Sequence, residues 1–220
     1  MADVRDKLAA FTLFQGVSEQ TLDAILQEGR ELTVPRRATL LLVNDTGHQI
    51  FFLLDGFVKV IREHLGEELI VAVRTPGEII GEMAMFSPGT RSATVHTLTE
   101  SRFLVVPMST FQYALRRDNR LLWNLTELEV RRLREATQLL YEIALLKADR
   151  RVLQLLRVLA EKLGHREGDR WVLPRLLSLR DMASMINLRR ETFSRVLRRL
   201  EDLGLLEKDE SIISFRDFRP

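Results

Sequence analysis

The sequence predicts an α+β chain, with a small antiparallel β-structure in front, one long helix in the middle and a winged helix-turn-helix behind. Three observations predict it. Short β-rich runs between Leu32 and Val106 are punctuated by glycines at 47, 56, 66 and 77, the rhythm of a small sandwich or barrel. Asn119 to Lys147 holds neither Gly nor Pro and is dominated by strong helix formers. Lys147–Pro220 orders as helix, short turn, helix and hairpin. The expected divisions are therefore 1–118, 119–146 and 147–220.

Each element has its local reason. Phe14, Val17, Leu22, Ile25 and Leu26 are spaced for one helical face, with Ser18 as N-cap. Strands are expected at Thr39–Val43, Ile50–Leu54, Phe57–Arg62, Leu69–Arg74, Ala93–Thr97 and Arg102–Val106, with Asp55-Gly56 as a tight turn. The helix from Asn119 would be roughly 40 Å long, more than one small barrel can cover. Its Leu133, Ala136, Leu140 and Ile143 recur at coiled-coil spacing, which predicts a parallel homodimer seam. Val152, Leu155, Leu156, Leu159 and Leu163 line the next helix, which Gly164 ends. Ser178 and Asp181 form a variant capping box, with Met182, Met185 and Ile186 facing inward. Asn187-Leu188-Arg189 turns the chain into Arg190–Asp202, whose inner face is Phe193, Val196, Leu197 and Leu200. Leu205–Lys208 and Ile212–Phe215 form the closing hairpin.

Composition narrows the function. The absence of cysteine excludes disulfides, thiolate nucleophiles, cysteine-based zinc sites and cysteine-ligated iron–sulfur clusters. There is no phosphate loop ending in Gly-Lys-Ser/Thr, no His-Glu-x-x-His and no nucleophile elbow, so an enzyme is not expected. His48, His64, His96 and His165 lack metal-ligand spacing, so no metal is expected. No apolar run is long enough to span a membrane and the opening Met1–Lys7 leads into no signal region, so a cytoplasmic location is expected. Lys147–Pro220 carries 17 Lys+Arg against 12 Asp+Glu, while the whole chain has 33 against 31. A basic back end behind a mildly acidic front points to a polyanion partner.

Two segments carry chemistry. In Gly81–Ala93, Gly81 permits close backbone approach, Glu82 suits a ribose hydroxyl, and Arg91 with Ser92 suits a phosphate. In Arg189–Arg195, Arg190 and Arg195 can donate bidentately to guanine and Glu191 can accept from cytosine. Arg189 and Thr192 reach phosphates at the helix N-terminus.

With both segments present, the chain resembles the cyclic-AMP receptor protein / fumarate–nitrate reduction regulator superfamily along essentially its full length. Gly81-Glu82-x-Ala84 … Arg91-Ser92-Ala93 is similar to the family's phosphate-binding cassette. Arg190-Glu191-Thr192 … Arg195 is similar to its recognition helix. The resemblance implies a double-stranded β-helix (β-roll) that binds a cyclic nucleotide such as cyclic AMP. It also implies a dimerisation helix and a winged helix that binds palindromic double-stranded DNA, with RNA polymerase as a further partner of an activator. The implied nucleotide contacts are Gly81, Glu82, Met83, Arg91, Ser92 and Thr137; the DNA contacts are Ser178, Arg189, Arg190, Glu191, Thr192, Ser194 and Arg195. The adjacent hydroxyl pair that meets adenine in the cyclic-AMP receptor is here Ala136 and Thr137, which leaves adenine less well specified than phosphate. Haem or another small molecule stays open as the sensed ligand, as does an effector-independent dimer; a third alternative, a cyclic-nucleotide-binding module that regulates a protein partner, is opposed by the five arginines within Arg189–Arg199. Ser194 resembles the fumarate–nitrate branch, which implies a half-site nearer TTGA than TGTGA.

Overall fold

The computed structural model describes residues 2–86 and 90–216, and by contacts the chain forms two compact units, Met1–Arg62 with Val71–Arg134 and Glu63–Ile70 with Glu135–Pro220. The first unit opens with α1 (Ala2–Ala9) and α2 (Glu19–Glu28), where Ser18 Oγ caps α2 by accepting from the Thr21 N–H. Eight strands follow: β1 (Arg30–Val34), β2 (Thr39–Leu41), β3 (Gln49–Asp55), β4 (Val58–His64), β5 (Glu67–Arg74), β6 (Ile79–Ile80), β7 (Thr94–Thr97) and β8 (Ser101–Pro107). They form two four-stranded sheets in the orders β1-β8-β3-β6 and β2-β7-β4-β5.

Strand β3 shows why the roll forms. Phe51 and Leu53 on one face pack with Val58, Val95, Phe103 and Val105 to fill the space between the sheets. Ile50, Phe52 and Leu54 on the other face pack under the helices, with Phe52 5.6 Å edge-on from Phe111. Successive side chains alternate between faces, so a strand covered on both sides reads as an unbroken apolar run. Two strands of this unit are not anticipated by the sequence. β1 begins Arg-Glu and is mostly exposed, as an edge strand is, and β6 has only two residues.

Helices α3 (Met108–Arg117) and α4 (Asn119–Leu145) complete the packing beneath this sheet. Asp118 stands between them. Its carboxylate accepts from the N–H groups of Arg120 and Leu121 at the start of α4, and from the Ser18 N–H and hydroxyl. Burial works against that charge, but these donors more than offset it, and the Asp118 pKa falls below the ordinary value.

The second unit contains α5 (Ala148–Leu163), β9 (His165–Glu167), β10 (Arg170–Pro174), α6 (Leu179–Met185), α7 (Arg190–Asp202), β11 (Leu206–Lys208) and β12 (Ile212–Arg216). The wing is a four-stranded sheet, β11-β12-β10-β9, larger than the expected hairpin. β9 is fully exposed His-Arg-Glu, which gives no apolar signal. Phe193, Val196, Leu197 and Leu200 of α7 are buried, as are Val152, Leu155, Leu156 and Leu159 of α5.

On α4 the exposed apolar stripe is rotated from the expected seam. Leu133 and Leu140 are both 67% exposed and Ala136 is exposed, but Ile143 is half-buried. Trp123, Val130 and Thr137 join the stripe instead. The opposite side is taken by buried Leu121, Leu125 and Glu142, and Ile143 falls toward that side at 3.6 residues per turn. No helix among the described residues is long and apolar enough to cross a membrane.

Candidate functional site

The front site is built on a left-handed glycine. Gly81 has φ 88° and leads from β6 into a 3-10 turn, Glu82–Met85. A Cβ at Gly81 would sit 2.4 Å from Arg91 Nη1. The sequence reading gave this glycine to ligand approach; the structure shows that it first admits a guanidinium. Arg91 donates to the carbonyls of Gly81 at 2.9 Å and Gln49 at 2.8 Å, and its guanidinium carbon lies 5.8 Å from the centre of the Phe51 ring. Its backbone is pinned too: Arg91 N–H donates to the Asp45 carbonyl, and its carbonyl accepts from Asn44 N–H. Burial lowers the Arg91 pKa, and the charges of Glu82 and Asp45 partly restore it. The bonded acceptors are both neutral, so this buried cation has no carboxylate bonded to it among the described residues.

Glu82 is also buried and already engaged. Its Oε1 accepts from Arg132 Nη1 at 2.6 Å, a residue of α4 that the sequence reading did not single out. Gly81, Glu82, Met83, Arg91 and Ser92 all line one cleft with a cavity volume of about 70 Å³, and Arg132 forms part of the same wall. Ser92 is exposed, with Oγ 3.4 Å from Met83 Sδ. Ser87, Pro88 and Gly89 of the same segment lie outside the described residues. Thr137 lies on the exposed face of α4. Arg132 was missed because Glu129-x-x-Arg132 reads in one dimension as a solvated helical ion pair.

The rear site is the outer face of α7. Ser178 and Asp181 cap α6 reciprocally, the Ser178 N–H donating to Asp181 Oδ2 at 3.0 Å and Ser178 Oγ accepting from the Asp181 N–H at 3.0 Å. The Ser178 hydroxyl further donates to Asp181, so the predicted DNA contact is occupied with capping. Asn187 takes φ 52°, and Leu188 N–H donates to the Ala183 carbonyl, closing the turn between α6 and α7. Arg151 Nη1 holds the Ile186 carbonyl at 2.9 Å and fixes this turn on α5. Arg189, Arg190, Glu191, Arg195 and Arg198 are exposed, while Thr192 and Ser194 are half-buried. Arg199 pairs with Asp149. Among the described residues Arg190, Glu191 and Arg195 have no side-chain partner, so this face offers donors and an acceptor to whatever lies against it.

Family models separate the same two regions. A cyclic nucleotide-binding domain matches residues 31–118, and a Crp-like helix-turn-helix domain matches residues 150–219. The chain belongs to the cyclic-AMP receptor protein / fumarate–nitrate reduction regulator superfamily. It is thus a transcription regulator with an effector-binding domain and a DNA-binding helix-turn-helix. It is 29% identical to the cyclic AMP receptor protein of Thermus thermophilus, over 93% of this chain and 92% of the relative. A CRP-like cAMP-activated global transcriptional regulator of Mycobacterium tuberculosis is 25% identical, over 86% of this chain and 85% of its own. The fold is shared with the c-di-GMP-responsive global regulator CLP of Xanthomonas campestris, at TM-score 0.76, 23% identity and coverage of 90% and 99%. These superfamily relatives are regulators, and the β-roll, long helix and helix-turn-helix follow their plan. Among the described residues no cluster of three or more His, Asp or Glu could hold a metal ion.

Proposed function

We propose that this protein is a cytoplasmic homodimeric regulator that binds a palindromic DNA site under the control of a cyclic nucleotide, with cyclic AMP the first candidate. The observation that carries the effector reading is Arg91, a buried guanidinium bonded only to neutral carbonyls in a cleft open to ligand. A buried cation without a bonded counter-charge is a standing demand for an anion. Arg91 and Ser92 take the cyclic phosphate, Glu82 the ribose 2′-hydroxyl, Met83 borders the ligand, and Gly81 keeps Arg91 in place. The Mycobacterium tuberculosis relative is named as activated by cyclic AMP, which supports that nucleotide. None of the described residues lining the cleft is a histidine, so the donor set suits an anion better than haem iron.

The domain divisions remain those read from the sequence: effector binding in 1–118, dimerisation along 119–146 and DNA binding in 147–220. Leu133, Ala136 and Leu140 carry the seam with Trp123 and Val130, and Thr137 faces the second copy. Arg190, Glu191 and Arg195 read base edges; Arg189, Thr192 and Ser194 position the helix on phosphates. An activator of this kind has RNA polymerase as its further partner. A mobility-shift assay on a TTGA-type palindrome, with and without cyclic AMP, tests the whole reading. A retarded dimer–DNA complex that strengthens with the nucleotide is expected. Strong binding that ignores every cyclic nucleotide would favour an effector-independent regulator, a reading to which the internally satisfied Glu82 lends some support.

A further inference from the structure

The guanidinium of Arg91 stands in the wall between two cavities. On one side is the cleft of Glu82 and Ser92, with a volume of about 70 Å³; on the other is a second cavity of about 520 Å³. The larger one has the size of a small-molecule site. Among the described residues the two share Leu41 and Arg91 alone. Two glycines let Arg91 through. A Cβ at Gly81 would sit 2.4 Å from Nη1, and one at Gly47 would sit 2.8 Å from Cζ and 2.9 Å from Nε. Nη1 donates to the carbonyl of Gly81, which lines the smaller cleft, and Nη2 to that of Gln49, which lines the larger cavity. A guanidinium has five N–H donors, so three remain after these two bonds.

The larger cavity combines three kinds of wall. Leu40, Leu42 and Phe51 are apolar, and Leu40 and Phe51 belong to the packing between the sheets. Arg91 is cationic and 6% exposed. Asp45 is anionic and exposed, and its side chain is bonded to nothing among the described residues. The two charges are close. The Arg91 N–H donates to the Asp45 carbonyl at 2.9 Å, and the Asn44 N–H donates to the Arg91 carbonyl at 2.9 Å. The Val43 N–H donates to Thr94 Oγ1 at 3.1 Å, which ties the start of the same loop to β7. A cation and an anion fixed beside each other over an apolar wall are complementary to a zwitterion with an apolar side chain. A simple carboxylate would meet Asp45 as a like charge, and a simple amine would meet Arg91. We propose that this cavity binds a free α-amino acid with an apolar side chain, Arg91 taking its carboxylate, Asp45 its ammonium group, and Leu40, Leu42 and Phe51 its side chain. The site is independent of the cyclic-nucleotide reading, and Glu82 and Ser92 take no part in it.

Titration calorimetry on the full chain, with L-leucine, N-acetyl-L-leucine and L-leucinamide and no nucleotide present, tests this. L-leucine is expected to bind, and removal of either ligand charge should weaken it about tenfold, the size of one charge-assisted hydrogen bond. Asp45→Asn keeps the main-chain bonds of the loop. It should bind L-leucine about tenfold more weakly and N-acetyl-L-leucine no more weakly than the parent does, a pattern that general damage to the fold would not produce. Absence of saturable L-leucine binding by the parent overturns the inference. So does a parent that binds the acetylated or amidated ligand as tightly as L-leucine, or equal affinity of the parent and Asp45→Asn for L-leucine. A separate titration with cyclic AMP decides the nucleotide reading, and its failure would leave these outcomes unchanged.

Discussion

The cleft around Glu82 and the outer face of α7 carry the same kinds of side chain and use them in opposite ways. In the cleft, Glu82 is held by Arg132 and Arg91 by two carbonyls. On α7, Arg190, Glu191 and Arg195 are exposed and, among the described residues, unpartnered. Groups that already hold internal bonds gain from a ligand only the difference between new and old interactions, so the response of such a site is set by that difference. A site whose groups are merely hydrated binds a polyanion by releasing counterions, with no internal bond to break. The first arrangement suits a switch and the second a reader.

DNA binding should suffer most if α7 loses its platform. Phe193 is fully buried, and Phe193→Ala should cost about 3–5 kcal/mol. Denaturant unfolding followed separately by DNA binding and by nucleotide binding should show the first lost and the second retained. Next in size is the α4 stripe. Leu140→Lys removes two apolar contacts from the proposed seam and sets two like charges together, at roughly 3 kcal/mol of dimer stability. Sedimentation should show a dimeric parent and a monomeric variant.

The reader itself is sharpened by paired substitutions. Arg195→Ala should lose roughly 1–3 kcal/mol of discrimination at one guanine, whereas Arg189→Ala should weaken all sequences alike and reduce the salt slope by about 1. Competition binding at several salt concentrations separates them. The smallest effect concerns the scaffold of the cleft. Asp118 caps the helix that presents Arg132, and Asp118→Ala should cost about 1 kcal/mol. Because its folded pKa lies below the ordinary 3.8, the Asp118 contribution is present above that value and is lost as pH falls through the folded pKa. Acid unfolding of the parent should show this loss below about pH 4, and the variant should lack it.

Much of this contrast was legible in the sequence. α7 was read at its observed bounds, because a helix with one apolar face, a capped predecessor and a turn residue at Asn187 declares itself locally. Gly81, Glu82, Arg91 and Ser92 were found for the same reason, since they lie close together along the chain. What one dimension hid was the partner of each charge. Arg132 stands 50 residues from Glu82, and nothing local marks it as the group that holds that carboxylate. Likewise Ile143 fits a heptad on paper, but the burial of Leu121, Leu125 and Glu142 decides which side of α4 faces outward.

An anion at Arg91 is expected to control what α7 does, and the response of palindrome binding to cyclic AMP reads that control. Fluorescence anisotropy with labelled DNA, on the parent and on Arg91→Leu, reads the ratio of affinities with and without nucleotide. A hundredfold preference of the nucleotide for the DNA-competent state is worth about 2.7 kcal/mol and should appear as a large ratio in the parent. In Arg91→Leu the ratio should fall to about 1, because the phosphate has lost its charge partner. An undiminished response in Arg91→Leu, or a parent that binds cyclic AMP and DNA with neither affecting the other, would contradict the account.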